Sequence, residues 1–222
     1  MVTFKGIELE TNDVSFRPTL ITEACAEVVN FKGKQILDLG CGIGPLAIYF
    51  ALNGAKEVTA SDIYDEHLNL TSVNAKKNNA GIKIIQSDLF ENISEQYEVI
   101  SCDVSGVEEK IAEVTGWFPD GVPKADSTGA NLIIKVIQDS LSYLKNDGEL
   151  YICATSFSDI IKIEKTIKEN YGGSWEKVYS EEVPFSKRLK RNLDLLSFND
   201  YIIEKDDSFF WQIFIYKLKK IN

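Results

Sequence analysis

The sequence predicts an α/β fold: a doubly wound, mostly parallel seven-stranded sheet with an antiparallel edge strand and helices on both faces. Three observations carry that reading. Short apolar runs alternate with segments whose apolar residues recur at helical spacing, the pattern of a parallel sheet covered on both sides. Runs such as EVTAS at 57–61 and IKIIQ at 82–86 suit strands buried on both faces. Residues 35–52, QILDLGCGIGPLAIYFAL, read as strand, tight glycine loop and helix.

In chain order, Leu20, Ala24, Val28 and Phe31 keep helical spacing over 20–31, and Gly33 ends the helix. Strand 35–39 follows. Pro45 suits the first position of helix 45–52 because its missing N–H would be unpaired there, and Asn53-Gly54 closes it. Strand 57–61 ends at Asp62. A polar-faced helix over 64–79 is stopped by Asn78, Asn79 and Gly81. Strand 82–86 ends at Ser87-Asp88, and strand 97–102 ends at Asp103. A short helix is expected near 108–114. The stretch 116–129, rich in Gly, Pro and Asp, reads as a loop long enough to serve as a binding loop or lid. Leu132, Ile133, Val136, Ile137, Leu141 and Leu144 mark a helix that Asp147-Gly148 should end. Strand 149–154, a helix near 159–169, strand 175–183, a helix over 187–196 and strand 209–216 complete the chain. No regular long helix separates the last two strands, so antiparallel pairing is expected at that edge.

The 222 residues are read as one domain, 1–222: an N-terminal segment and helix at 1–31, a core at 34–155 and the C-terminal part of the sheet at 156–222. Hydrophobic content of 44% and charged content of 26% describe a soluble globular chain. A net charge of −10 argues against a free nucleic-acid binder, which needs concentrated Lys and Arg. No signal peptide is evident, and the longest apolar stretch, 45–52, is far below the roughly 20 residues of a membrane span. Cys25, Cys41, Cys102 and Cys153 have no metal-site or CxxC spacing and read as reduced, mostly buried thiols of a cytoplasmic protein. The single histidine, His67, cannot supply a His-rich metal site and is expected at the surface or a cofactor rim.

Four carboxylates, Asp38, Asp62, Asp88 and Asp103, fall at or just past four strand ends. Ligands of such sheets lie at the carboxyl ends of the strands, so these groups should line one rim. Gly40, Cys41, Gly42 and Gly44 form the loop beside the first of them. A nicotinamide-type GxGxxG would need its third glycine at Pro45.

Here the chain resembles the class I methyltransferases that use S-adenosylmethionine, whose fold is Rossmann-like. Asp38-Leu39-Gly40-Cys41-Gly42-Ile43-Gly44 matches their DxGxGxG motif, and Asp62 and Asp88 match the acidic residues after their second and third strands. The resemblance implies S-adenosyl-L-methionine as cofactor. Asp38 would face its methionyl amino group, Asp62 its ribose hydroxyls and Asp88 its adenine amino group. Ile63 and Leu89 would flank the ring, and Gly40 and Gly42 would admit close backbone approach. Transfer is a direct displacement at carbon that needs alignment and no metal.

The nearest pattern is that of the release-factor glutamine and small-domain rRNA methyltransferases, which FRPTLITEACAEVV at 16–29 resembles. They end strand four with Asn/Asp-Pro-Pro-Tyr/Phe; this chain has Asp103-Val104-Ser105-Gly106. Asp103 keeps a polar acceptor and is the candidate catalytic residue. Arg17, Trp117 and Phe118, with Pro119, are candidate substrate contacts. The acidic charge puts a small-molecule or peptide acceptor first. A protein amide or RNA nitrogen is the alternative, and a non-catalytic binder of the cofactor the third reading.

Overall fold

The computed structural model describes residues 1–104, 106–118, 126–193 and 202–221. It builds the expected sheet around β3 (Gln35–Leu39). On one side lie β4 (Glu57–Asp62) and β5 (Lys83–Gln86); on the other lie β6 (Tyr97–Cys102), β7 (Leu144–Thr155), β10 (Ser208–Lys219) and β8 (Trp175–Pro184). The order is β5-β4-β3-β6-β7-β10-β8, and β9 (Ile203–Lys205) also pairs with β10. Pairing is parallel from β5 to β7 and antiparallel at β7–β10 and β10–β8. The reversed strand therefore sits one place in from the edge, which β8 occupies.

Alternation along the central strands sorts the core into two layers. Ile36 and Val99 face a cluster with α1 (Leu20–Val28), α2 (Pro45–Leu52) and α3 (Asp65–Lys77). Leu37, Leu39, Ile100 and Cys102 face α5 (Asn131–Ser140) and α6 (Ile160–Tyr171). A third, aromatic-rich cluster joins α4 (Glu109–Thr115) and α7 (Lys187–Lys190) to the start of β10 through Phe157, Phe185, Leu189 and Trp211.

Two hairpins escaped the sequence reading. β1 (Val2–Phe4) and β2 (Ile7–Leu9) pair across Lys5-Gly6, both at positive φ. β9 and β10 pair across Asp206-Asp207, also both at positive φ. Two residues at positive φ make the tight turn whose twist matches paired strands. α1 stops at Val28 rather than 31, because Val29 is extended and Phe31 packs against Phe50 at 4.7 Å. α5 stops at Ser140, and Asp147-Gly148 lies in a bulge within β7: Tyr97 pairs Leu144 while Val99 pairs Glu149. Of the helix expected over 187–196, α7 takes only Lys187–Lys190; Arg191 caps it, and residues 194–196 lie outside the described ones. Among the described residues no helix is long and apolar enough to cross a membrane.

α3 carries a buried polar stripe. His67, Thr71 and Asn74 share one helical face and are 4% exposed or less. Thr71 Oγ1 donates to the Gly42 carbonyl at 2.7 Å, and Asn74 Nδ2 donates to the Ile43 carbonyl at 3.0 Å. Asn74 Oδ1 accepts from the Glu10 N–H at 2.7 Å. One side chain thus ties the glycine loop to the N-terminal segment. Asn74→Ala should cost about 3 kcal/mol, the range for stranding buried polar partners, read as a lower urea midpoint. A shift under about 0.5 kcal/mol would remove the bridge from the account.

Candidate functional site

A cavity of about 510 Å³ opens at the carboxyl ends of the parallel strands, where the reversal of strand order between β3 and β6 places it. Asp38, Gly40, Cys41, Gly42, Asp62, Ile63, Asp88, Leu89, Asp103 and Arg17 all line it. Gly44, Trp117 and Phe118 do not. Gly44 caps α2 at φ 85°, and a Cβ there would stand 2.9 Å from the Thr71 methyl carbon. Trp117 stacks obliquely on Trp211 at 5.1 Å, in the aromatic cluster. Phe118 meets Phe16 edge-on at 5.4 Å, and Phe16 is itself a wall of the cavity. Pro119 and Ser105 lie outside the described residues.

The glycine loop turns with Gly40, Gly42 and Gly44 all at positive φ. Open space lies where a Cβ on Gly42 would point. Its N–H donates to Asp62 Oδ2 at 2.9 Å. Asp62 Oδ1 accepts from the Tyr64 N–H at 3.0 Å and meets His67 Nδ1 at 3.2 Å. His67, expected at the surface or a cofactor rim, is therefore a buried partner of the second carboxylate and lines the cavity.

Asp38 lies on the α1–α3 side of β3, 2% exposed. Its Oδ2 accepts from the Ala47 N–H in the first turn of α2 at 3.0 Å. Burial pushes its carboxyl up to about 7, against that hydrogen bond and with help from the charges of Asp103 and Asp62. Asp103 follows β6 on the same side. Its Oδ2 accepts from Thr22 Oγ1 at 3.2 Å, and burial raises it to about 6 against that bond. Asp88 is exposed at the far rim. Asp126 also borders the cavity, but its oxygens cap the start of α5, accepting from Thr128 N–H at 2.7 Å and Asn131 N–H at 3.0 Å.

Sequence reasoning missed Phe16, Thr22, Tyr64 and Leu132 as walls. Thr22 had a signal: it lies in the segment 16–29 that resembles the glutamine and rRNA enzymes, and it closes a capping box with Thr19. The four thiols are free and buried, with Cys25 Sγ 3.2 Å from Cys153 Sγ. The basic residues Lys187, Arg188, Lys190 and Arg191 are exposed.

The family model described as methyltransferase small domain matches residues 20–103. A chain assigned as a protein N5-glutamine methyltransferase in Methanocaldococcus jannaschii is 28% identical over 163 residues, 71% of this chain and 81% of its own length. The release factor glutamine methyltransferase of Streptococcus pneumoniae is 30% identical over 159 residues, 67% of this chain; the match spans only 57% of that relative. Among solved structures, a ribosomal protein L11 methylase from Lactobacillus delbrueckii subsp. bulgaricus superposes with a TM-score of 0.55 at 20% identity. It covers 90% of this chain and 78% of its own, a likeness of fold.

Asp38→Asn tests the electrostatics. A carboxyl raised from 3.8 to about 7 gives its full stability below its unfolded value and loses it as pH climbs towards 7. Asn keeps an oxygen for Ala47 and cannot ionise. The ligand-free variant should exceed the wild type above about pH 7 by up to roughly 4 kcal/mol and match it near about pH 4, read from thermal melts.

Proposed function

We infer that this chain, a class I S-adenosylmethionine-dependent methyltransferase, methylates a nitrogen on a protein. Asp103 carries the acceptor reading. It is a half-buried carboxylate at the end of β6, raised to about 6, on the wall of the cavity. An amine reaches the site as an ammonium and must shed a proton before its lone pair can attack, and a carboxylate near the working pH suits that task. The absence of the two prolines after Asp103 favours an amine over a planar amide. The small-molecule acceptor that the acidic charge put first has less support than the protein alternative, since the relatives are named for protein substrates. The net charge of −10 weighs against RNA.

The residues present fit the cofactor. The cavity falls within the few-hundred-Å³ range of small-molecule sites. Its wall combines several carboxylates with one arginine, which suits a cationic ligand better than a phosphate. Space is open above Gly42. In this reading Asp38 holds the methionyl ammonium, and Leu89 and Ile63 flank the adenine whose amino group Asp88 meets. A carboxylate has about four acceptor positions, and Gly42, Tyr64 and His67 occupy three on Asp62. Asp62 therefore takes one ribose hydroxyl rather than both. When bound, the cofactor supplies a methyl group already activated on a sulfonium. The protein aligns the acceptor and accepts its proton at Asp103, which Thr22 orients.

Methyl label added to a lysate should enter the protein fraction; label confined to RNA or small molecules would overturn the acceptor reading. Asp103→Asn should keep cofactor affinity and lower kcat/KM by about 10²-fold or more. The wild-type value should rise with pH through about 6, as the carboxylate forms. Gly42→Val puts a branched side chain at φ 55°, aimed into the cavity. Cofactor affinity should fall at least about 100-fold by calorimetry, with the circular dichroism of the fold retained.

A further inference from the structure

Between β2 and α1, residues 10–19 form a strap over the cavity, to which Phe16, Arg17 and Pro18 contribute walls. Its first residue is fixed by Asn74 and its last caps α1. At its middle lies His67, 4% exposed. One ring nitrogen, Nδ1, stands 3.2 Å from Asp62 Oδ1; the other, Nε2, stands 3.5 Å from the Val14 carbonyl oxygen. Both oxygens only accept. A neutral imidazole has one N–H and would turn a lone pair on one of them, whereas the imidazolium donates to both.

We propose that His67 is a positioning residue acting as a proton-dependent clasp, its imidazolium joining the strap at Val14 to the carboxylate of Asp62 and so closing the cofactor cavity. The inference rests on the reading that Asp62 meets the cofactor. Deprotonation leaves one N–H, which stays with the nearer and charged Asp62, and the Val14 contact is released.

The groups around the ring agree. Asp62 faces it from β4. Tyr64, at the cap of α3, meets it edge-on at 5.1 Å. Glu66, beside it on α3, adds negative charge and accepts from Asn12 Nδ2 of the strap. The strap faces it with a carbonyl. The Asp62 hydrogen bond, opposed by burial, raises the imidazole above its ordinary value. The clasp is therefore complete below that raised value and is lost as pH rises through it.

The test compares the full-length wild type with His67→Gln, whose amide supplies one donor at every pH. S-adenosylhomocysteine is titrated calorimetrically against both, and amide exchange is followed over 13–16. Asp38 and Asp103 titrate in the same region but in both proteins, so the ratio between them isolates His67. At about pH 6 the wild type should bind about tenfold tighter and exchange about tenfold more slowly, the value of one hydrogen bond. By about pH 9 the two proteins should converge. A ratio that stays constant with pH, in either measurement, overturns the clasp, since a merely structural role for His67 gives that result. Failure of the wild type to bind would overturn the cofactor reading instead, and the exchange ratio alone would then decide the clasp.

Discussion

The structure turns on one carboxylate. Asp62 ends β4, yet its oxygens take a hydrogen from the glycine loop after β3, one from the cap of α3 and the ring nitrogen of His67. Removing it would leave the Gly42 N–H without its acceptor, in a loop whose glycines all lie at positive φ. The glycines themselves have no side chains to hold that shape. Polar side chains from α3 do so, where Thr71 and Asn74 donate to the carbonyls of Gly42 and Ile43. The helix gives up apolar burial on that face to supply them. Fully satisfied buried networks specify one arrangement, and this one gives the cavity its floor.

The other constraint is electrostatic. Asp38 and Asp103 sit on the same side of the sheet, both raised by burial, and the charge of Asp103 makes Asp38 harder still to ionise. Among the described residues each accepts from a neutral donor, Asp38 from the Ala47 N–H and Asp103 from Thr22 Oγ1. That arrangement costs the ligand-free chain stability and favours any cation entering between them. A sulfonium cofactor with an ammonium tail and an amine acceptor are both such cations.

Much of this was legible because it is local. Asp38 through Gly44 is one strand, one loop and one helix start, and the period of two in β3 already says which residues face which layer. The intervals to Asp62 and Asp88 follow from successive strand–helix units. The hairpins were harder: Lys5-Gly6 and Asp206-Asp207 reach positive φ without the Asn-Gly signature that announces such turns. Asp147-Gly148 misled for a related reason. A positive-φ residue followed by glycine ends helices and also makes bulges, and only the register of β6 against β7 tells them apart. The burial of His67 was harder to read, because a polar helix face normally means solvent. Its burial comes from a strap more than fifty residues away in the chain, at Val14.

The same distinction between local and distant contacts separates the two halves of the site. The groups proposed to meet the cofactor come from consecutive units and carry a motif. The acceptor side is assembled from Asp103, Thr22 on a helix that precedes the motif, and the strap around Phe16. No spacing rule links those positions. What links them is α1, whose capping box fixes Thr22 and whose preceding residues form the strap wall. In the proposed reading, Val104-Ser105 in place of two prolines after Asp103 admits a different nitrogen there without touching the glycine loop. The fold can therefore keep its cofactor chemistry while its acceptor changes, and the residues to vary in search of that acceptor are those around Thr22 and Asp103.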